Sequence, residues 1–171
     1  MVELVDIYNE QKQKTGRMID KYGPFDNGEY YLTTHIWIKH KDLWLIQKRS
    51  HNCKNNPDKW SVTGGAVKSG ETSLQAATRE LFEELQVTIW PEQLKFSGCY
   101  KQKYAFVDVY FVELTDSSLN INFNKTEVSD LKWCSKEEID AKYQSGEFVH
   151  SVYFGLMITL YNGVNTFPYI R

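Results

Sequence analysis

The order of strand-like and helix-like segments predicts an α/β sandwich with a mixed β-sheet. Three observations support this prediction: a hairpin pattern in the first third of the chain, one strongly periodic helix in the middle, and several β-type stretches after that helix. No linker rich in proline, glycine or serine divides the 171 residues, and neither do charge blocks or internal repeats. We therefore expect residues 1–171 to form a single domain.

The hairpin is predicted over residues 31–49, where two arms rich in β-branched and aromatic residues flank the turn His40-Lys41-Asp42. A polar stretch follows over residues 50–59. Its asparagines, proline and aspartate favour turns, so we expect this stretch to be a surface loop.

The clearest helix is predicted from Thr72 to Leu85. It begins with a capping-box pattern, Thr72 followed by Gln75, and continues with an apolar stripe at helical spacing. The stripe consists of Leu74, Ala77, Leu81 and Leu85. Further strands are expected around residues 96–102, 105–114 and 130–134, and further helices over residues 136–143 and 151–161.

Composition excludes several classes of protein. The 20 Lys and Arg against 22 Asp and Glu give a net charge of -2, which excludes a strongly basic protein that binds nucleic-acid polymers. The longest nearly apolar run, residues 152–161, is about half the length of a membrane-spanning helix. The N-terminus lacks the basic and apolar regions of a signal peptide, and the three cysteines form no C-x-x-C pair. We therefore expect a cytoplasmic protein without a membrane partner.

The chemistry is expected where Gly64-Gly65 leads into the periodic helix. At about 100° per residue, Glu80, Glu83 and Glu84 lie within one arc beside the apolar stripe. Arg79 precedes Glu83 by one helical turn and can pair with it. Neighbouring carboxylates repel one another, and a divalent cation would remove that cost. Oxygen ligands without cysteine or histidine suit Mg²⁺ or Mn²⁺. The alternative is that the three acids form only a solvated helix face.

The joint spacing of these residues resembles the Nudix box, G-x5-E-x7-R-E-U-x-E-E-x-G-U, in which U is apolar. The match covers residues 65–87 and consists of Gly65, Glu71, Arg79-Glu80-Leu81, Glu83-Glu84 and Val87. Gln86 stands where the family has a glycine, and a glycine past a helix end normally adopts a positive φ. We therefore expect a modified helix exit without loss of catalysis.

The resemblance implies a Nudix-type α/β/α sandwich and metal-dependent cleavage of a diphosphate linked to another moiety. It places ligands for Mg²⁺ or Mn²⁺ at Glu80, Glu83, Glu84 and the carbonyl of Gly64, with Arg79 and Glu71 bracing the loop and helix. Glu80 is the first choice for the general base. Glu127 resembles a downstream family glutamate, and it is equally an extra ligand, the base or a plain loop acid.

The substrate is predicted from side chains outside the box. Lys48, Arg49 and Lys103 can contact phosphate oxygens, and Tyr104 can stack on a base. Surface lysines and packed aromatic rings would explain the same residues. The first choice is a nucleoside diphosphate or a related X-linked diphosphate, and an isoprenoid diphosphate is second. A non-catalytic Nudix module that binds a nucleotide is the third alternative.

A wider resemblance covers much of the first half of the chain. It is to the branch of Nudix proteins that includes isopentenyl-diphosphate isomerases, and it is carried by Asp6–Glu10, His35–Ile38, Gln47–Ser50 and Trp60. The isomerases have a Cys-Gly-His triplet where this chain has Gly64-Gly65-Ala66, so isomerase activity is not expected. His35 is therefore expected to be a packed or hydrogen-bonded strand residue. A homodimer through residues 151–161 or through the N-terminal strands is left open.

Overall fold

The described part of the chain contains eight strands, two α-helices and a 3₁₀ turn. A computed structural model describes residues 2–115 and 121–150. The strands are Leu4–Tyr8 (β1), Lys14–Asp20 (β2), Tyr31–His40 (β3), Leu43–Arg49 (β4), Trp60–Ser61 (β5), Lys95–Lys101 (β6), Ala105–Glu113 (β7) and Val128–Cys134 (β8). The helices are Ser73–Leu85 (α1) and Lys136–Gln144 (α2), with a 3₁₀ turn at Pro91–Gln93.

The main sheet is mixed, as the sequence predicts. Its strands lie in the order β5-β4-β3-β7-β6, and β8 pairs with β4. The central pair, β3 and β7, is parallel, and the remaining pairs are antiparallel. The predicted hairpin is confirmed as β3 and β4, and the predicted surface loop follows it at residues 50–59. The predicted strands after α1 correspond to β6, β7 and β8.

Side chains of β3 alternate between two apolar layers, because successive residues of a strand point to opposite faces. Ile36 and Ile38 pack in one cluster with Leu81 of α1. Trp37 packs in the other cluster with Ile139 of α2. The two helices therefore cover opposite faces of the sheet, which confirms the α/β/α prediction.

The N-terminal hairpin, β1 and β2, forms a separate two-stranded sheet that is attached to the main sheet. Tyr8 and Tyr30 exchange two backbone hydrogen bonds of 2.7 and 3.0 Å. Lys12 Nζ, from the hairpin turn, lies 2.5 Å from the buried carboxylate of Asp108 on β7. These contacts attach the N-terminal hairpin to the main sheet.

The predicted helix over residues 151–161 lies outside the described residues, and the homodimer stays a prediction. No helix in the described ranges is long and apolar enough to cross a membrane.

Candidate active site

The start of α1 is fixed by two sets of hydrogen bonds. Thr72 Oγ1 accepts from the backbone N–H of Gln75 at 3.2 Å, and the Gln75 side chain accepts from the Thr72 N–H at 2.9 Å, so the predicted capping box is confirmed. In the loop before the helix, Asp6 of β1 accepts hydrogen bonds from the Ser69 hydroxyl at 2.6 Å and the Gly70 N–H at 3.3 Å. The N-terminal hairpin therefore braces the loop.

The end of α1 differs from the expected modified exit. Gln86 itself adopts the left-handed conformation, with φ 54° and ψ 25°, that a glycine would adopt there. Its N–H donates to the carbonyl of Phe82 at 2.9 Å, and the next N–H, of Val87, donates to Leu81 at 3.2 Å. Glutamine therefore keeps the glycine-type exit, at a backbone cost of about 1 kcal/mol.

The three acids of α1 do not form a uniform solvated face. Glu80 and Glu84 are 7% and 4% exposed, and only the Glu83 side chain, at 43%, is open to solvent. Burying a carboxylate is costly unless it is paired or hydrogen-bonded. The solvated-face alternative is therefore wrong for Glu80 and Glu84.

Glu84 is held by groups from the sheet. The side chain of Gln47 on β4 donates to Glu84 Oε2 at 2.9 Å, and the N–H of Gly64 donates to the same oxygen at 3.1 Å. Gln47 is itself oriented by a hydrogen bond from the Thr63 hydroxyl at 3.1 Å. Burial, with a further contribution from the nearby Glu80 carboxylate, raises the pKa of Glu84 to about 8.

Glu80 lies against the glycine pair. A Cβ at Gly65 would stand 2.2 Å from Glu80 Oε1, so a larger residue there would displace this carboxylate. A Cβ at Gly64 would stand 2.0 Å from the carbonyl oxygen of Thr34 on β3. Burial also raises the pKa of Glu80, although Arg79 opposes this shift. The two glycines therefore allow the loop to lie between β3 and α1.

Arg79 connects the loop to the helix. Its guanidinium donates two hydrogen bonds to Glu71, at 2.8 and 2.9 Å, and a third to the carbonyl of Ala66 at 3.0 Å. Its Nη1 also donates to Glu80 at 2.6 Å and to Glu83 at 2.9 Å, which confirms the pairing predicted with Glu83. These contacts are those of a brace for the loop and helix, and the bracing role itself stays a prediction.

A divalent cation is the group that this donor set would hold. Within residues 2–115 and 121–150, no three His, Cys, Asp or Glu side chains already converge on one metal position. The donors are nevertheless all oxygens, which suit Mg²⁺ or Mn²⁺. Both hydrogen bonds that the described residues donate to the Glu84 carboxylate end on Oε2, which leaves Oε1 for a cation. The donors therefore fit such an ion, and the ligand set stays a prediction.

A cavity of about 520 Å³ joins these acids to more distant side chains. Its acidic wall consists of Gly64, Gly65, Glu80, Glu83, Glu84 and Glu127. Its outer wall consists of Glu3, Lys21, Tyr22, Tyr31 and Lys54. Arg49 also lines the cavity. The volume falls in the range of sites that bind small molecules, about 300–1,000 Å³.

His35 lines the same cavity from β3. Its Nδ1 lies 2.9 Å from the Tyr100 hydroxyl, which confirms a hydrogen-bonded strand histidine. Burial, together with the positive charge of Arg49, lowers the pKa of His35 to about 4. The imidazole is therefore neutral at pH 7.

The predicted substrate-binding residues divide into two groups. Arg49 lines the cavity and donates from Nε to the carbonyl of Asn55 at 2.9 Å. Lys48, Lys103 and Tyr104 are not among the described residues that line it. The ring of Tyr104 instead lies 5.7 Å from that of Phe25. Substrate contact by these residues stays a prediction.

Gln47, Tyr22 and Lys54 are among the residues of the site that the sequence does not predict. Gln47 could have been found, because it lies two residues after the buried Leu45 and so on the face that α1 covers. Tyr22 and Lys54 line the outer wall from separate segments, and no local pattern indicates that they meet.

Comparison with known proteins agrees with this geometry. A family model described as the NUDIX domain matches residues 32–152. An uncharacterized Nudix hydrolase of Listeria monocytogenes is 33% identical over 160 residues, covering 92% of this chain and 94% of the relative. A crystal structure of a Deinococcus radiodurans protein matches with a TM-score of 0.73 at 25% identity, covering 86% of this chain and 92% of that one.

A further solved structure shows the same fold. It is a bifunctional NMN adenylyltransferase/ADP ribose pyrophosphatase of Francisella tularensis, complexed with AMP and a Mn ion. Its TM-score is 0.62 at 24% identity, covering 82% of this chain and 43% of that one. The family match and the Listeria relative, together with the site geometry, show that this chain belongs to the Nudix family and is a pyrophosphohydrolase.

Proposed function

We propose that the chain is a divalent-metal-dependent hydrolase that cleaves the diphosphate linkage of a nucleoside diphosphate or a related X-linked diphosphate. The observation that carries this proposal is the cavity that joins two buried carboxylates, Glu80 and Glu84, to the guanidinium of Arg49. Carboxylates alone would repel a diphosphate, so a cation has to lie between them and the substrate.

The residues that would hold the cations are Glu80, Glu83, Glu84 and the carbonyl of Gly64. When bound, such ions neutralise the phosphate charges and lower the pKa of the attacking water. The neighbour solved with a Mn ion gives a reason to include Mn²⁺ in any assay.

The chain's own residues would prepare this chemistry. Arg79 orients two of the acids through hydrogen bonds of 2.6 and 2.9 Å. Glu80 is the proposed general base, because burial raises its pKa towards the working range of a base at neutral pH. Glu127 is the alternative base, since it also lines the cavity. Its negative charge also contributes to the raised pKa of Glu80.

The proposed reaction adds one water across the P–O–P bridge. The base takes a proton from the water as its oxygen attacks phosphorus, and the bridging P–O bond breaks. Arg49 would contact oxygens of the diphosphate, because its Nη atoms have no carboxylate partner within the described ranges. Two phosphate-containing products leave the cavity.

The isoprenoid alternative has less support. An isoprenoid chain needs an apolar pocket, whereas lysine, asparagine and glutamate side chains supply much of the lining. The resemblance to the isomerase branch likewise gains no support from the relatives, which are named as Nudix hydrolases.

The test is a product-release assay over a panel of diphosphates, with Mg²⁺, Mn²⁺ or EDTA. The panel contains ADP-ribose, dinucleoside polyphosphates, nucleoside di- and triphosphates, and isopentenyl diphosphate. We expect metal-dependent turnover of at least one nucleotide, and no turnover in EDTA. Turnover of isopentenyl diphosphate alone would contradict the substrate class, and no turnover of any compound would favour a binding module.

A further inference from the structure

The outer wall of the cavity contains an aromatic ring whose role the cleavage chemistry does not explain. We propose that the ring of Tyr22 is the surface on which a nucleobase of the substrate stacks. This inference rests on the proposed function, because it names the moiety that the diphosphate carries.

A tight turn after β2 fixes the backbone at Tyr22. The Tyr22 N–H donates to the Asp20 carboxylate at 3.0 Å, and the Gly23 N–H donates to the Asp20 carbonyl at 2.7 Å. The N–H of Lys21 donates to the carbonyl of Glu3 at 2.9 Å. Tyr22 therefore projects from an anchored turn and not from a free loop, which limits the entropy lost when a ligand binds.

Two lysines lie close to the ring. Lys54 Nζ, from the loop after β4, is 4.0 Å from the ring centroid, and Lys21 Nζ is 5.1 Å from it. Lys21 is also paired with Glu3 at 2.6 Å. Ammonium groups at such distances are attracted by the electron-rich face of an aromatic ring. The contact with Lys54 therefore connects the ring to the loop after β4, which also lines the cavity.

The ring is nevertheless accessible. Tyr22 is 52% exposed and lines the cavity that also contains the acidic wall. Tyr31, the other tyrosine of the outer wall, is less open, and its ring lies 5.4 Å from that of Phe25. Of these two tyrosines, Tyr22 is therefore the more exposed.

The lining of the cavity that contains Tyr22 matches a planar polar group. Asn52, Asn55 and Asn56 line the same cavity, and their amides both donate and accept hydrogen bonds. A nucleobase has an aromatic face and a hydrogen-bonding edge, so it satisfies both the ring and the amides. An isoprenoid chain would leave these amides without partners.

The test measures binding, so that it does not depend on turnover. Calorimetry would measure the affinity of the protein for α,β-methylene-ADP and for its guanine and uracil counterparts. Methylenediphosphonate is the probe that lacks a base. We expect Tyr22→Leu to weaken binding of at least one nucleotide by about tenfold or more. Tyr22→Phe should stay within about twofold, and methylenediphosphonate should bind equally to both variants and the wild type. Trp90→Leu is the matched control, because Trp90 is 75% exposed and does not line the cavity.

Two results would overturn the inference. One is equal binding of every nucleotide by the wild type and Tyr22→Leu, including no binding by either. The other is an equal loss for the nucleotide and for methylenediphosphonate, which would place Tyr22 at the phosphates. Nucleotide binding that depends on Tyr22 without hydrolysis of any diphosphate would support the inference and contradict the proposed function.

Discussion

The acidic wall and the outer wall of the cavity differ in how firmly their side chains are held. Glu84 is 4% exposed and accepts two hydrogen bonds from neighbours on other segments, whereas Tyr22 is 52% exposed and rests on one lysine from another loop. A buried, hydrogen-bonded group cannot move without a large cost, and an exposed one can. The comparison indicates that the proposed reacting groups are held firmly, and that the side chain proposed to recognise the base is more exposed.

The largest expected effect comes from the acidic wall. Glu84→Gln should lower kcat by about a thousandfold or more, because it removes a charged oxygen from the proposed metal site. The Gln carbonyl oxygen can still accept from Gln47 and from the Gly64 N–H. Because burial raises the pKa of Glu84 to about 8, the metal-free variant should be at least as stable as the wild type at pH 8. Steady-state kinetics and thermal unfolding without metal check both parts.

A matched control is Glu92→Gln, since Glu92 is exposed and does not line the cavity. It should retain wild-type turnover. Equal activity in Glu84→Gln and Glu92→Gln would remove Glu84 from the chemistry.

The next effect tests how closely the backbone must approach the acids. Gly65→Ala places a Cβ 2.2 Å from Glu80 Oε1, so the carboxylate has to move. We expect kcat to fall by about a hundredfold, because displacing a catalytic group by about 1 Å slows a reaction by about that factor. A crystal structure of the variant should show Glu80 displaced. Full activity with Glu80 in place would mean that the glycine is not required for the site.

A smaller effect is expected at the brace. Arg79→Lys keeps the positive charge but loses the two-pronged contact with Glu71. We expect kcat to fall about tenfold and the free energy of unfolding to fall by about 2 kcal/mol. Urea denaturation and kinetics measure the two quantities. A variant that loses stability and keeps full kcat would limit Arg79 to a structural role.

The smallest effect concerns the helix exit. Gln86→Gly should raise the free energy of unfolding by up to about 1 kcal/mol, because glycine adopts the φ of 54° without strain. Turnover should stay within a few-fold of the wild type. Gln86→Ala, which keeps the strain, is the control. A collapse of activity in Gln86→Gly would show that the exit geometry serves catalysis.

Most of the acidic wall could be predicted because all of its residues except Glu127 lie in one segment, residues 64–84. Helical spacing places Glu80, Glu83 and Glu84 together, and the same spacing explains the pairing of Arg79 with Glu83. Helical spacing does not predict how deeply Glu80 and Glu84 are buried. It depends on how closely Gly64-Gly65 and β4 approach the helix, which is a property of the assembled sheet.

The outer wall could not be predicted because separate segments meet there. Tyr22 follows the N-terminal hairpin and Lys54 belongs to the loop after β4, so their contact depends on how the hairpin is attached. The aromatic side chain of Tyr104 predicts stacking on a base, but in the fold its ring lies beside that of Phe25 and is not among the described residues that line the cavity. Residue type alone does not distinguish an aromatic ring that packs from one that lines a site.

The most direct test of the central claim, that the buried acids form a divalent-cation site, is a titration of Mn²⁺ followed by electron paramagnetic resonance. The wild-type protein should take up Mn²⁺, with a loss of the free-ion signal, and Glu92→Gln should behave identically. Glu84→Gln should bind at least tenfold more weakly, which corresponds to about 1.4 kcal/mol. Equal Mn²⁺ binding by all three proteins, or binding by none, would contradict the claim.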